Sequence, residues 1–357
     1  MKNVMYIPIL KGKRAEFRAI KELSIQVQRL IVPLIEIEPI SIDFDTELPT
    51  KTYNDHLNDF GKKLSDCLGE TRRIMLDGLL IEEEYISEGD TYPVINAVSQ
   101  LREYGVEVIP VTSPTRSDKY KKLISSVISD SVCLRLTTAD LMNPQLLVSY
   151  IESLKIGLNN IDVIIDFRAS LKQDTIDTFV IMAEGGINNL PNLYDYRSVS
   201  VAAGSFPTDL SDIQVGIEEI PRLEWELWKK IKYNGNLKRD IIFSDYSIQH
   251  PDFTRIPTKF PSVSASIRYT GEDCILVFRG RDPKKYGYEQ YGVHCQRLIE
   301  HVEYCGENFS QGDKDIWLYA HGQMLKASKE VTYGSPEVWR RVAANHHITK
   351  VIAQLSS

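Results

Sequence analysis

Eight short runs rich in β-formers recur along the first 250 residues: VMYIPIL, IVPLIEIE, RRIMLD, VEVIPVT, SVCLRLT, IDVIIDF, RSVSVAA and RDIIFSD. Stretches with helical spacing separate them, such as RAEFRAIKEL, YPVINAVSQLREYG and IEEIPRLEWELWKKIK. Parallel neighbours need a long return connection, and a helix supplies it, so this alternation predicts parallel strands with crossover helices. Eight such units in ~250 residues match a (β/α)8 TIM-barrel-like fold. An open doubly wound parallel sheet is the alternative. It is disfavoured because no GxGxxG opens a helix after the first strand and no GxxxxGK[ST] occurs in the chain. Several helices end near glycine, at Gly69, Gly105, Gly157 and Gly235, as helix stops do.

The texture changes after residue 250. HPDFTRIPTKFPSV reads as a linker, and SASIRYTGEDCILVFRGR as a β-hairpin. DPKKYGYEQYG reads as a loop, VHCQRLIEHVEYC as a helix and KDIWLYAHG as a short strand. PEVWRRVAANHHITKVIAQL is a closing helix, with Pro336 in its first turn. The expected organisation is therefore a barrel over residues 1–250 and an α+β extension over 251–357, packed on the barrel.

Side chains on a strand alternate faces, and in a barrel one parity fills the interior and ends at the mouth. Six of the runs place charge last on one parity. These are Lys11, then Glu36 with Glu38, then Asp77, Arg135, Asp166 with Arg168, and Asp245 after Phe243. The seventh run ends at Gly204 and Ser205, a small-residue turn. Barrel active sites lie at this end. Five carboxylates, Glu36, Glu38, Asp77, Asp166 and Asp245, suit acid–base work or an oxygen-liganded Mg or Mn ion. Lys11, Arg135 and Arg168 suit an anionic ligand such as a phosphate or nucleotide. A polar lid in which these charges pair only with one another is the competing structure.

Arg268 and Arg279 of the hairpin extend the ligand-binding set, and Lys284, Lys285 and Tyr286 follow in a loop able to close over it. His294, His301 and Cys305 share a helix face but lack an evident fourth zinc ligand. Adjacent His346 and His347 point differently around their helix, one into packing and one outward. No histidine falls near a barrel strand end.

The net charge of −7 and the absence of a long basic run disfavour a general grip on nucleic acid. No stretch approaches the ~18 apolar residues of a membrane span. Five scattered cysteines without a CxxC point to free thiols and a reducing cytoplasm. No feature selects an oligomeric state.

YIPILKGKRAEFRAIKEL followed by VPLIEIEP resembles the start of the beta family proteins of bacteria and phages. The matching positions are Tyr6, Pro8, Lys11, Lys13 and Glu16, then Pro33, Leu34 and Glu36. WRRVAANHHITKVIAQL resembles the family's end. The resemblance implies a role in phage–host conflict, in the company of a defence effector, and carries no catalytic assignment. Two functions follow as expectations. One is a barrel mouth that binds a small anionic ligand, with metal-dependent phosphoester hydrolysis as its chemistry if it is an enzyme. The other is a non-catalytic sensor or interaction scaffold that regulates a partner effector, with the mouth charges as an ion-pair network.

Overall fold

The β-rich runs all become strands, and eight of the strands close into a parallel barrel. They are β1 (Tyr6–Lys11), β2 (Leu34–Glu36), β3 (Arg73–Asp77), β4 (Glu107–Thr112), β5 (Val132–Leu136), β6 (Ile161–Asp166), β7 (Ser198–Ala203) and, last in the ring, β9 (Ile242–Asp245). Tyr6 opposite Phe243 and Pro8 opposite Asp245 seal the ring, which rules out the open sheet. The computed structural model describes residues 4–84, 92–253, 263–325, 328 and 330–357. Among them, no helix is long and apolar enough to cross a membrane.

Both faces of these strands are buried. Ile7, Ile9, Leu34, Met75, Ile109, Val111, Cys133 and Ile164 fill the barrel. Leu10, Ile35, Leu76, Leu134 and Ile165 alternate with them and pack outward under the helices. This is why the runs read as continuously apolar rather than half-polar. Pro110 has no N–H to give, and the β4–β5 ladder covers only Val111 and Thr112.

Three expected elements change type, the first being the loop DPKKYGYEQYG, which contains the helix Pro283–Tyr286 and the start of the helix Gln290–Ile299. IEEIPRLEWELWKKIK divides at Pro221 into β8 (Gly216–Pro221) and the helix Leu223–Tyr233, because proline cannot continue a helix interior. β8 pairs antiparallel with β11 (Cys274–Arg279), which pairs with β10 (Ser266–Thr270). The extension's sheet therefore takes one strand from before residue 250. KDIWLYAHG is helical, within Gln311–Ala320. Ser310 caps that helix by accepting from the Asp313 N–H, and a short apolar run does not by itself separate strand from helix. The linker HPDFTRIPTKFPSV lies largely outside the described residues.

The closing helix, Pro336–Ser356, joins the two halves. Its Ile348, Val351 and Ile352 belong to the barrel's outer core. Its Trp339 and Val342 belong to the core between the extension's sheet and helices.

Candidate functional site

The mouth end of the barrel holds a closed set of opposite charges. Arg135, at the top of β5, is its hub. Its Nη1 donates to Glu36 Oε1 at 2.8 Å and to Asp77 Oδ2 at 2.7 Å. Its Nε donates to Asp166 Oδ2 at 2.7 Å and its Nη2 to the Tyr246 hydroxyl at 2.5 Å. Tyr246 passes its own proton toward Asp166. Lys11 takes the second oxygen of Glu36, and Arg116 Nη2 bridges both oxygens of Asp77 at 3.0 Å. Three carboxylates thus meet three cations, so the set is neutral. Glu36 and Asp77 are fully buried, and Arg135 is 3% exposed.

The ionisation states follow from this pairing. Burial pushes the Asp77 carboxyl up, but Arg116 and Arg135 outweigh it and hold the group below the ordinary carboxylate range. Burial works against the Arg135 charge, and Tyr246, Asp166, Glu36 and Asp77 overcome it, leaving the guanidinium more firmly protonated than usual. The Tyr246 phenol is driven well up, chiefly by burial. A low-dielectric interior makes each pair strong and makes any unpaired member expensive.

The chain also closes the mouth over part of this set. Lys11 Nζ donates to the Pro251 carbonyl at 2.7 Å. Gly204 permits that approach: a Cβ there would stand 2.8 Å from Pro251 and 3.2 Å from the Tyr246 ring. Arg168 grips Asp252 of the same segment. The small-residue turn after β7 therefore admits the protein's own strap.

Lys11, Glu36, Asp77, Arg135 and Asp166 come together, as strand alternation predicts. Other residues depart from it. Glu38 lies beyond β2, which ends at Glu36, and pairs with Lys13 at 2.7 Å. Arg168 has left the strand in a left-handed conformation, φ 50°, and sits half-buried on the strap. On β9 the interior parity is the opposite one. Phe243 faces outward against Tyr6, Trp225 and Trp228, and Asp245 follows it out, while Tyr246 enters the barrel. Ser205 donates to Glu224 Oε2 at 2.6 Å, at the start of the helix Leu223–Tyr233. Arg268 and Arg279 lie on the extension, outside the set. Arg116 and Tyr246 were missed because they come from loops after β4 and β9, where strand alternation has no reach.

Asp245 belongs to a second buried cluster, outside the barrel wall. It accepts from Tyr6 and contacts His347 Nε2 at 3.0 Å, while His347 Nδ1 lies 2.8 Å from Thr270 Oγ1. A histidine therefore does stand against a barrel strand end. Burial first, then the paired Asp245, set the His347 balance, and the net effect lowers its pKa. Its neighbour His346 turns the other way, to Asp313 Oδ2 at 2.8 Å and the Thr270 carbonyl at 2.9 Å. Both histidines are fully buried, so neither faces outward. With Thr270 also at zero exposure, the arrangement brackets barrel and extension and offers no path to a substrate.

The carboxylates do not fit the expected Mg or Mn ion. The oxygens that a hard cation would claim are already turned to guanidinium and ammonium groups. Among the described residues, no three His, Cys, Asp or Glu side chains are grouped to hold a metal. His294 points to the Ala265 carbonyl at 3.1 Å and Cys305 to that of Glu303, so the suggested zinc face has other partners.

Closed parallel strands, a neutral charged core at the mouth and an α+β extension bracketed to the wall define a (β/α)8-barrel protein with a self-paired interior. The chain belongs to the Beta protein family, whose model matches residues 6–353. No curated protein matches it.

Proposed function

We propose that this is a non-catalytic sensor or interaction scaffold, acting in the cytoplasm on a partner effector of phage defence, and that its mouth charges form a structural network. One observation carries the reading: Arg135 alone contacts Glu36, Asp77 and Asp166, inside a buried set whose charges cancel. A catalytic carboxylate needs an oxygen free for the reacting atom, and a phosphate-binding cation needs an open face. The network supplies neither while it stays intact.

The test is incubation of the full chain with Mg or Mn and a panel of nucleotides and phosphoesters. No turnover is expected. Product that disappears in Asp77→Asn would overturn the proposal. Stability gives a second arm: Glu36→Gln and Asp166→Asn are expected to destabilise the fold, since each leaves a buried cation without its partner.

A further inference from the structure

We infer that β8 is an open sheet edge that takes an extended, basic segment of a partner protein as a further strand. The inference rests on the reading of this protein as an interaction scaffold and names its docking surface. The extension's sheet runs β10–β11–β8, so β10 and β8 are its edges. The β10 edge is covered: the closing helix packs on it, and His346 Nε2 meets the Thr270 carbonyl at 2.9 Å. β8 is open by comparison. Ile217, Glu218, Glu219 and Pro221 are all exposed, and so is Val215 just before the strand.

The register fixes which backbone groups are free. The Arg222 N–H donates to the Asp273 carbonyl at 3.0 Å, and Pro221 stands opposite Cys274. Residues of an antiparallel pair alternate between bonded and non-bonded positions, so Ile220, Glu218 and Gly216 turn their backbone groups to β11. Ile217 and Glu219 turn theirs to the open edge. Pro221 shares that direction, and Ser205 Oγ lies 2.9 Å from its carbonyl. Among the described residues, no group meets the N–H or C=O of Ile217 or Glu219. Such a row of unpaired backbone groups is the template for strand addition.

Charge selects the occupant. Glu218 and Glu219 are exposed and, among the described residues, have no cationic partner. Being adjacent on a strand, they point to opposite faces. A second copy of the chain fits poorly. Outward residues must pair with outward residues, so a two-fold antiparallel register centred on Glu218 or on Glu219 sets that glutamate opposite its own copy. A register centred on Ile217 makes the two Glu218 side chains diagonal neighbours. Like charges so placed destabilise a sheet. A partner strand with two adjacent Lys or Arg residues instead meets one carboxylate on each face, and the chain's net charge of −7 favours its approach.

The test is fluorescence anisotropy of the full chain at low ionic strength. The probe is a labelled, capped peptide of about ten residues, built from Thr and Val with two adjacent lysines at its centre. Saturable binding is expected, and the same peptide with glutamates for lysines should not bind. Ile217→Pro removes an outward N–H without breaking a bond to β11, and should weaken binding about tenfold or more. Glu218→Lys combined with Glu219→Lys should do the same. Absence of binding, which an edge merely guarded against aggregation predicts, overturns the inference. Equal binding to Ile217→Pro means adhesion by charge alone and also overturns it. Equal binding to the double lysine variant overturns the basic partner. Turnover in the phosphoester assay would remove the scaffold reading and leave this binding standing, so the two failures are distinct.

Discussion

Replacing Arg135 by methionine tests the network at its hub. The side chain contacts Glu36 at 2.8 Å, Asp77 at 2.7 Å, Asp166 at 2.7 Å and Tyr246 at 2.5 Å. Methionine fills much of the same volume with no charge. Three buried carboxylates are then left with Lys11 and Arg116, a net charge of one negative unit away from water. Breaking a buried pair by removing one partner costs about 3–5 kcal/mol, against a total stability of about 5–15 kcal/mol. Denaturant unfolding followed by tryptophan fluorescence is a suitable assay, because Trp225 and Trp228 pack on Phe243 of β9. The midpoint should fall sharply at about pH 8 and recover in part toward pH 5. The sign follows from linkage: without Arg135 a folded carboxyl is raised above its unfolded value, so its stability is present at low pH and lost as pH rises. Adding Asp166→Asn removes the excess charge and should restore part of the loss. An Arg135→Met protein as stable as the parent from about pH 5 to 8 would refute the claim that this set holds the barrel.

Glu16 offers a simpler pH test. Its carboxyl is raised to about 8 by burial, so the stability of its protonated form is fully present below the unfolded carboxyl value and lost as pH rises through 8. Glu16→Gln should therefore flatten the stability profile between about pH 5 and 8, read by denaturant unfolding. His347→Leu should loosen the bracket between barrel and extension by about 1–3 kcal/mol, since it removes the ring partner of Asp245 Oδ2 and of Thr270 Oγ1. Hydrogen exchange should then accelerate in the closing helix, and unchanged protection there would count against the bracket. Gly204→Val should push Pro251 from the mouth, because a Cβ already stands 2.8 Å from its ring. Limited proteolysis near residues 250–253 should become faster, and an unaltered cleavage pattern would argue against the strap.

The local sequence determined the barrel and most of its charged interior. Period-two alternation is a property of each strand alone, so Lys11, Glu36, Asp77, Arg135 and Asp166 could be assigned to one face without a partner in view. The resemblance at both ends of the chain likewise needed only residue spacing, and it agrees with the family match over 6–353. Tertiary structure decided what the charges do. On β9 both faces are apolar enough to be interior, and only the packing of Phe243 under two tryptophans sends Asp245 outward. Arg116 and Tyr246 enter from loops, His347 comes from a helix 102 residues along the chain from Asp245, and β8 leaves the barrel region to pair with β11. Each of these is a long-range contact. A run of residues states which groups share a face, but charge balance and closure depend on what arrives from elsewhere to meet them.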